Sequence, residues 1–177
     1  MFEVWLRPNV RILLLALPPA VAIAALGGLA LSLAEGVAWH AIAWGLLGLG
    51  LWFAVGVAMQ LRRPRIAFAD QKVLFYLRAR RPIAVPVEAV EAFFLGQGPA
   101  HLPGKSQHRA ESIDLVARLS QKYPEWEKIE VKRVLGRWCD SYVTLCGSWC
   151  EPLNTDVVQR LNRRLREARE QAEQTLE

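Results

Sequence analysis

Residues 12–34, ILLLALPPAVAIAALGGLALSLA, and residues 37–61, VAWHAIAWGLLGLGLWFAVGVAMQL, decide what kind of molecule this chain makes. Each run exceeds the roughly 20 apolar residues that carry a helix across about 30 Å of hydrocarbon. Only Glu35 and Gly36 stand between them. A connection that short returns the second helix antiparallel to the first, so both ends of the pair leave on one side. The expectation is a two-span transmembrane hairpin over residues 12–61, with a short segment before it (1–11) and a polar region after it (62–177). Ser32-Leu33-Ala34 offers the small residues of a leader-peptidase site. Against cleavage, the apolar core is longer than the roughly 7–15 residues of such peptides, and a second span follows at once.

Orientation follows from the flanking charges. Arg7 and Arg11 precede the first run, Arg62, Arg63 and Arg65 follow the second, and the connecting turn holds only Glu35. Lys and Arg accumulate on the cytoplasmic side. The expectation is a multi-pass protein of the inner (plasma) membrane with both termini cytoplasmic. Thiols stay reduced in that compartment, so no structural disulfide is expected among Cys139, Cys146 and Cys150.

The first run places Ala16, Ala20, Ala24, Gly28 and Ser32 on one i+4 row, and the second places Gly50, Ala54 and Ala58 on another. Small residues let helix backbones approach closely where there is no water to expel, so these rows are the predicted packing seam. Pro18-Pro19 should kink or interrupt the first helix, because proline lacks a donor and clashes with the preceding turn. His40, the only ionisable group inside either run, sits beside Trp39 and Trp44 near an end. That grouping reads as an interfacial aromatic belt.

From Arg62 the grammar changes to short alternating runs. RIAFAD and KVLFYLR around Asp70-Gln71 predict a β-hairpin. IAVP and AVEAFFL follow, with Pro82 and Pro86 at strand edges, and residues 97–111, rich in Gly and Pro, predict a loop. SIDLVARLS, KIEVKRVL and SYVTLCGSW resume the strand pattern, which makes about seven short strands. A helix closes the chain, with Asn154 or Thr155 as N-cap, Asp156 in its first turn and Val157, Val158, Leu161, Leu165 and Ala168 on one apolar stripe. The expected fold is α+β and mainly β: a small antiparallel sandwich or barrel capped by a C-terminal amphipathic helix.

RIAFADQKVLFY after a basic stop, the PIAVPVEAVEAFFL pair and the closing EPLNTDVVQRLNRRL together resemble the PH-like (pleckstrin-homology-like) domains carried by bacterial membrane proteins. The resemblance covers residues 62–177. It implies binding of lipid headgroups or a protein partner without catalysis. The long insertion at 97–111 departs from a compact version of that pattern.

The segment GRWCDSYVTLCGSWC, residues 136–150, holds all three cysteines. With Ser141–Leu145 as a strand, Cys139 and Cys146 lie on opposite faces and up to about 23 Å apart at 3.3 Å per residue. Zinc holds its sulfur ligands at about 2.3 Å, so no metal site is expected. The cysteines read as small buried hydrophobes.

From Arg62 onward the chain holds twenty basic and fifteen acidic residues, an excess that matches the formal net charge of +5 for the whole sequence. Two clusters stand out as candidate headgroup or membrane-surface contacts: Arg62, Arg63 and Arg65, and Arg78, Arg80 and Arg81. The second reads first as a solvated hairpin tip, since charged tips need no partner; the alternative is a phosphate site of Arg forks that Lys105 and Arg109 could join. Arg160, Arg163, Arg164, Arg166 and Arg169 alternate with Glu167, Glu170 and Glu173, the pattern of a water-facing helix with local ion pairs. Aromatics lie in apolar strand patterns rather than between bases, which argues against nucleic-acid binding. No nucleophile elbow, phosphate loop or zinc-protease helix occurs, so neither catalysis nor a cofactor is expected. The reading is a non-enzymatic membrane-anchored binding or scaffold module whose partners are membrane lipids and a protein partner or a second copy. The alternative is an accessory subunit of a larger membrane complex, assembled through the hairpin.

Overall fold

The computed structural model describes residues 2–33, 36–78, 81–99, 111–127 and 129–176. The chain forms two compact units: Val10–Arg63, and Met1–Asn9 together with Pro64–Glu177.

The first unit is helical: α1 (Val10–Leu15), α2 (Leu17–Leu33) and α3 (Val37–Arg62). Val10–Leu33 and Val37–Arg62 are each long and apolar enough to cross a membrane. The break between α1 and α2 falls at Ala16, whose N–H turns back to Leu13 O at 3.1 Å. Pro18 and Pro19 therefore occupy the first turn of α2, where an absent N–H leaves no bond unmade. The pair packs through Ala20, Ala24 and Gly27 against Ala43, Leu47 and Gly50. A side chain at Gly50 would lie 2.5 Å from Ala24 N and 2.8 Å from Ala20 O. Ala16 and Ala58 are exposed, Ala54 is half-buried, and Gly28 only grazes the Leu47 side chain. The i+4 rows leave the contact because four residues turn about 400°, a drift of about 40° per step, whereas alternating steps of four and three follow the seam. Outside it the helices are apolar all round, with Leu29, Leu51, Trp52 and Phe53 exposed.

The second unit is built from two antiparallel four-stranded sheets and one helix. The first sheet has the order β1 (Phe2–Leu6), β2 (Ile66–Ala69), β3 (Lys72–Phe75), β4 (Ile83–Pro86). The second has the order β5 (Val90–Pro99), β6 (Glu111–Leu119), β8 (Tyr142–Leu145), β7 (Gly136–Cys139). The segment set apart as 1–11 thus begins with a strand of the sheet, and the helical unit is an insertion between two hydrogen-bonded neighbours, β1 and β2. Asp70-Gln71 and Asp140-Ser141 are two-residue turns with φ between 50° and 63°. That left-handed geometry matches the twist of the strands it joins. KIEVKRVL is not a strand; its described residues run from an irregular segment into a turn at Arg133–Leu135, and β7 starts one residue later. Conversely, β5 extends to Pro99, into the segment predicted as loop, while residues 100–110 lie outside the described ones.

The sheets enclose one core. Trp5 stacks on Phe68 at 5.2 Å and meets Phe93 edge-on at 6.5 Å, and Phe75 meets Trp138 edge-on at 5.8 Å. The helix α4 (Thr155–Leu176) adds Val157, Leu161, Leu165, Ala168 and Ala172 to this cluster. Its start is fixed by Asn154, whose Oδ1 accepts from Val157 N at 2.9 Å. α4 braces both sheets: Asn162 bonds the backbone of Phe93 on β5, and Arg164 donates to Val4 O on β1.

Candidate functional site

Strand register defines one end of the β-domain. Leu6, Ile66, Phe75 and Ile83 form a row across the first sheet, and Leu95, Leu115, Leu145 and Gly136 form a row across the second. Bonds just beyond these rows join the sheets. Arg65 Nε and Asn9 N both donate to Trp149 O at 3.0 Å, and Lys132 N donates to Leu77 O at 3.1 Å. Asn9 and Pro64, where the helical insertion begins and ends, lie at this same end.

Basic residues gather there. Arg78 and Arg81 follow β3, Lys132 and Arg133 lie in the turn before β7, and Arg137 lies on β7; all five are exposed. Arg78, Lys132, Arg133 and Arg137 line a groove of about 540 Å³ with Ile129, Glu130, Val131, Gly136 and Trp138. Arg78 Nε donates to Glu130 O at 3.0 Å, which fixes one wall. Among the described residues the ion pairs are Arg118–Glu91, Arg160–Glu151 and Arg164–Glu3, so none of the groove's bases is matched to an acid. Unmatched guanidinium groups in a cleft suit phosphate, which they grip with paired N–H donors.

The predicted base clusters are divided by the fold. Arg62 closes α3 and Arg63 caps it through Gln60 O, so both belong to the helical unit. Arg65 is 5% exposed, and burial lowers its pKa. Its guanidinium ties β2 to the 3-10 turn Gly147–Trp149 and is withdrawn from the surface. Arg78 and Arg81 are at the groove end, whereas Arg80, Lys105 and Arg109 lie outside the described residues. Lys132 and Arg133 escaped the sequence reading because KIEVKRVL has strand-like alternation, which spreads its bases over a ladder instead of gathering them at a turn, and Arg137 escaped it as a lone base in GRWC.

Two further places contain reactive or charged groups. Cys146 and Cys150 are buried, and Cys150 Sγ points at Cys146 O at 3.5 Å. Burial pushes the Cys146 thiol up to about 11 and the Cys150 thiol up to about 12, so both are inert thiols at neutral pH. Cys139 is exposed at the far end of the sheet. A second groove of about 830 Å³ runs between β5 and α4. Arg160 there is held by Glu151 at 2.6 Å, and Arg169 by the carbonyls of Val90 and Glu91. Arg169 fastens the helix to the edge strand β5, and Arg160 ties it to the segment that leads into it.

No family model, curated protein or solved structure matches the chain.

Proposed function

We propose that the chain is a non-enzymatic membrane-anchored binding module. In this reading α1–α3 form a two-span hairpin inserted between β1 and β2 of a PH-like domain. The domain faces the cytoplasmic leaflet and holds phosphate-bearing anionic headgroups in the groove of Arg78, Lys132, Arg133 and Arg137. The observation that carries it is position: the unmatched bases occupy the end of the domain from which the helical insertion departs.

Physical arguments support each step. Helices that are apolar on every side and yet exposed need hydrocarbon around them. The pairing of β1 with β2 brings both ends of the insertion to one domain, as a hairpin returning to its starting side requires. Near an anionic leaflet each base contributes about 1 kcal/mol. An assembly role for the hairpin is less well supported, because the small residues Gly27 and Gly50 are already used inside the pair.

The test uses the full chain in nanodiscs of phosphatidylcholine with and without phosphatidylglycerol, read by hydrogen exchange. The expected result is added protection over residues 129–139 in the anionic discs, removed by high salt and by the triple change Lys132→Glu, Arg133→Glu, Arg137→Glu. Equal exchange in both discs would overturn the reading.

A further inference from the structure

We propose that the groove between β5 and α4 is a docking site for an acidic peptide segment of a protein partner, held by Arg163, Arg166 and Arg169. The site lies wholly within the β-domain and asks nothing of the helical pair, so it stands apart from the headgroup reading.

The groove encloses about 830 Å³ and is lined by four arginines of α4, at positions 160, 163, 166 and 169. Arg160 has its charge answered by Glu151 at 2.6 Å. Arg169 is fixed by the carbonyls of Val90 and Glu91, which are neutral, so its position is set while its charge is not. Arg163 and Arg166 are exposed. Among the described residues none of these last three is paired with a carboxylate. Two acids also line the groove. Glu91 is engaged by Arg118 at 2.9 Å, and Asp156 accepts from Asn154 Nδ2 at 3.5 Å. Glu167, Glu170 and Glu173 each stand one turn beyond an arginine of the row, and exposed pairs at that spacing are weak enough for a ligand to displace. Positive charge therefore exceeds negative along the lining.

Spacing selects the ligand. From Arg163 to Arg169 the helix rises about 9 Å, and each three-residue step turns the next arginine about 60° around the axis. The three charges form an oblique row that ends against the β5 edge, whereas a single phosphate needs guanidinium groups that converge on one point. About 9 Å is the length of three extended residues at 3.3 Å each, and each such residue can offer a carboxylate to a guanidinium fork. Arginine clusters that receive acidic motifs are a recurring mode of peptide recognition. No aromatic ring lines the groove, so nucleic-acid bases have nothing to stack on. Its apolar lining is Ala92, half-buried, and Leu165, buried, which leaves little for acyl chains. Gln159, exposed in the lining, supplies an amide that can both donate to and accept from a peptide backbone.

The probe is rhodamine-labelled hexaglutamate, titrated into the full chain in non-ionic detergent at physiological salt and read by fluorescence anisotropy. Saturable binding is expected. Arg163→Gln with Arg166→Gln should weaken it about tenfold, the sum of two exposed charge pairs, while headgroup-dependent protection of residues 129–139 stays as in the parent. Circular dichroism checks that α4 persists; Arg166→Gln alone, with about a threefold loss, repeats the test if the double variant does not fold. No binding, or binding that neither variant weakens, overturns the site. So does a loss that appears only with Lys132→Glu, Arg133→Glu, Arg137→Glu, since hexaglutamate then occupies the other groove. Displacement of hexaglutamate by equimolar inorganic phosphate assigns the groove to phosphate and overturns the peptide reading. Protection of residues 159–169 by phosphatidylglycerol nanodiscs without peptide assigns it to lipid and does the same. Hexaglutamate binding in a chain that shows no headgroup protection upholds this site and removes the headgroup reading alone.

Discussion

The Asn162 side-chain amide meets the Phe93 backbone as a neighbouring strand would: Phe93 N–H donates to Oδ1 at 2.8 Å, and Nδ2 donates to Phe93 O at 2.8 Å. β5 is an edge strand, and such edges pair with other chains unless covered. Seven residues along α4, Arg169 takes the carbonyls of Val90 and Glu91, and between them Arg164 takes Val4 O on β1. One helix thus covers one edge of each sheet, β1 of the first and β5 of the second.

Asn162→Ala should therefore cost about 1–3 kcal/mol, because two half-buried backbone groups lose their partner. Urea unfolding of the full chain in non-ionic detergent, followed by tryptophan fluorescence, measures it. Asn162→Asp should cost at least as much, since it keeps the acceptor for Phe93 N–H but turns a second oxygen toward Phe93 O. A loss within about 0.5 kcal/mol, the range of ordinary surface changes, would show that the edge is satisfied by water.

Arg65 presents a different balance. Its guanidinium is desolvated, and Nε bonds Trp149 O at 3.0 Å. Arg65→Met removes a buried charge but leaves that bond unmade, and the expected net loss is about 1–3 kcal/mol. Headgroup-dependent protection of residues 129–139 should survive the change. If it disappears while the domain remains folded, Arg65 is a ligand-binding residue and not a brace.

Cys150 makes stability depend on alkaline pH. Burial holds its thiol neutral up to about 12, with the nearby Arg65 charge opposing the shift, against 9.0 for the ordinary group. An acid whose folded pKa is raised stabilises the fold fully below the unfolded value, and that contribution is lost as pH rises through the folded value. Stability should fall between pH 9 and 12, by up to about 1.4 kcal/mol per pH unit for this one thiol. Cys150→Ala should flatten that part of the profile. In alkylation at neutral pH, Cys139 should react first and Cys150 only on unfolding.

What was legible in the sequence was local. The turn at Asp70-Gln71, the proline-bounded strand at Ile83–Pro86 and the Asn154 cap each depend on residues within a few positions. β1 was not legible, because Phe2–Leu6 finds its partner only across the whole helical insertion. Two of the five bases at this end were visible in the sequence, Arg78 and Arg81, and of these Arg78 lines the groove. Lys132, Arg133 and Arg137 join them only through the bond from Lys132 to Leu77 and the pairing of β7 with β8, and Arg65 left the set because its partner, Trp149, is 84 residues away. Long-range pairing decides such cases, and periodicity does not encode it.

The helical pair offers the sharpest contrast between equivalent residues. A Cβ added at Gly50 would lie 2.5 Å from Ala24 N and 2.8 Å from Ala20 O, both backbone atoms that cannot rotate away, whereas one at Gly56 meets nothing within 4 Å. Gly50→Ala should push the helices apart and cost about 1–3 kcal/mol, the usual range for overpacking. Gly56→Ala should be neutral or slightly stabilising, since alanine is the better helix former. Energy transfer between fluorophores at the outer ends of the two helices, followed through an SDS titration, separates these outcomes. Equal midpoints for the two variants would mean that the pair is not closed at Gly50. Gly27→Ala, which would collide with the backbone at Leu47, should behave like Gly50→Ala, and Gly28→Ala, with only the Leu47 side chain at 3.9 Å, like Gly56→Ala.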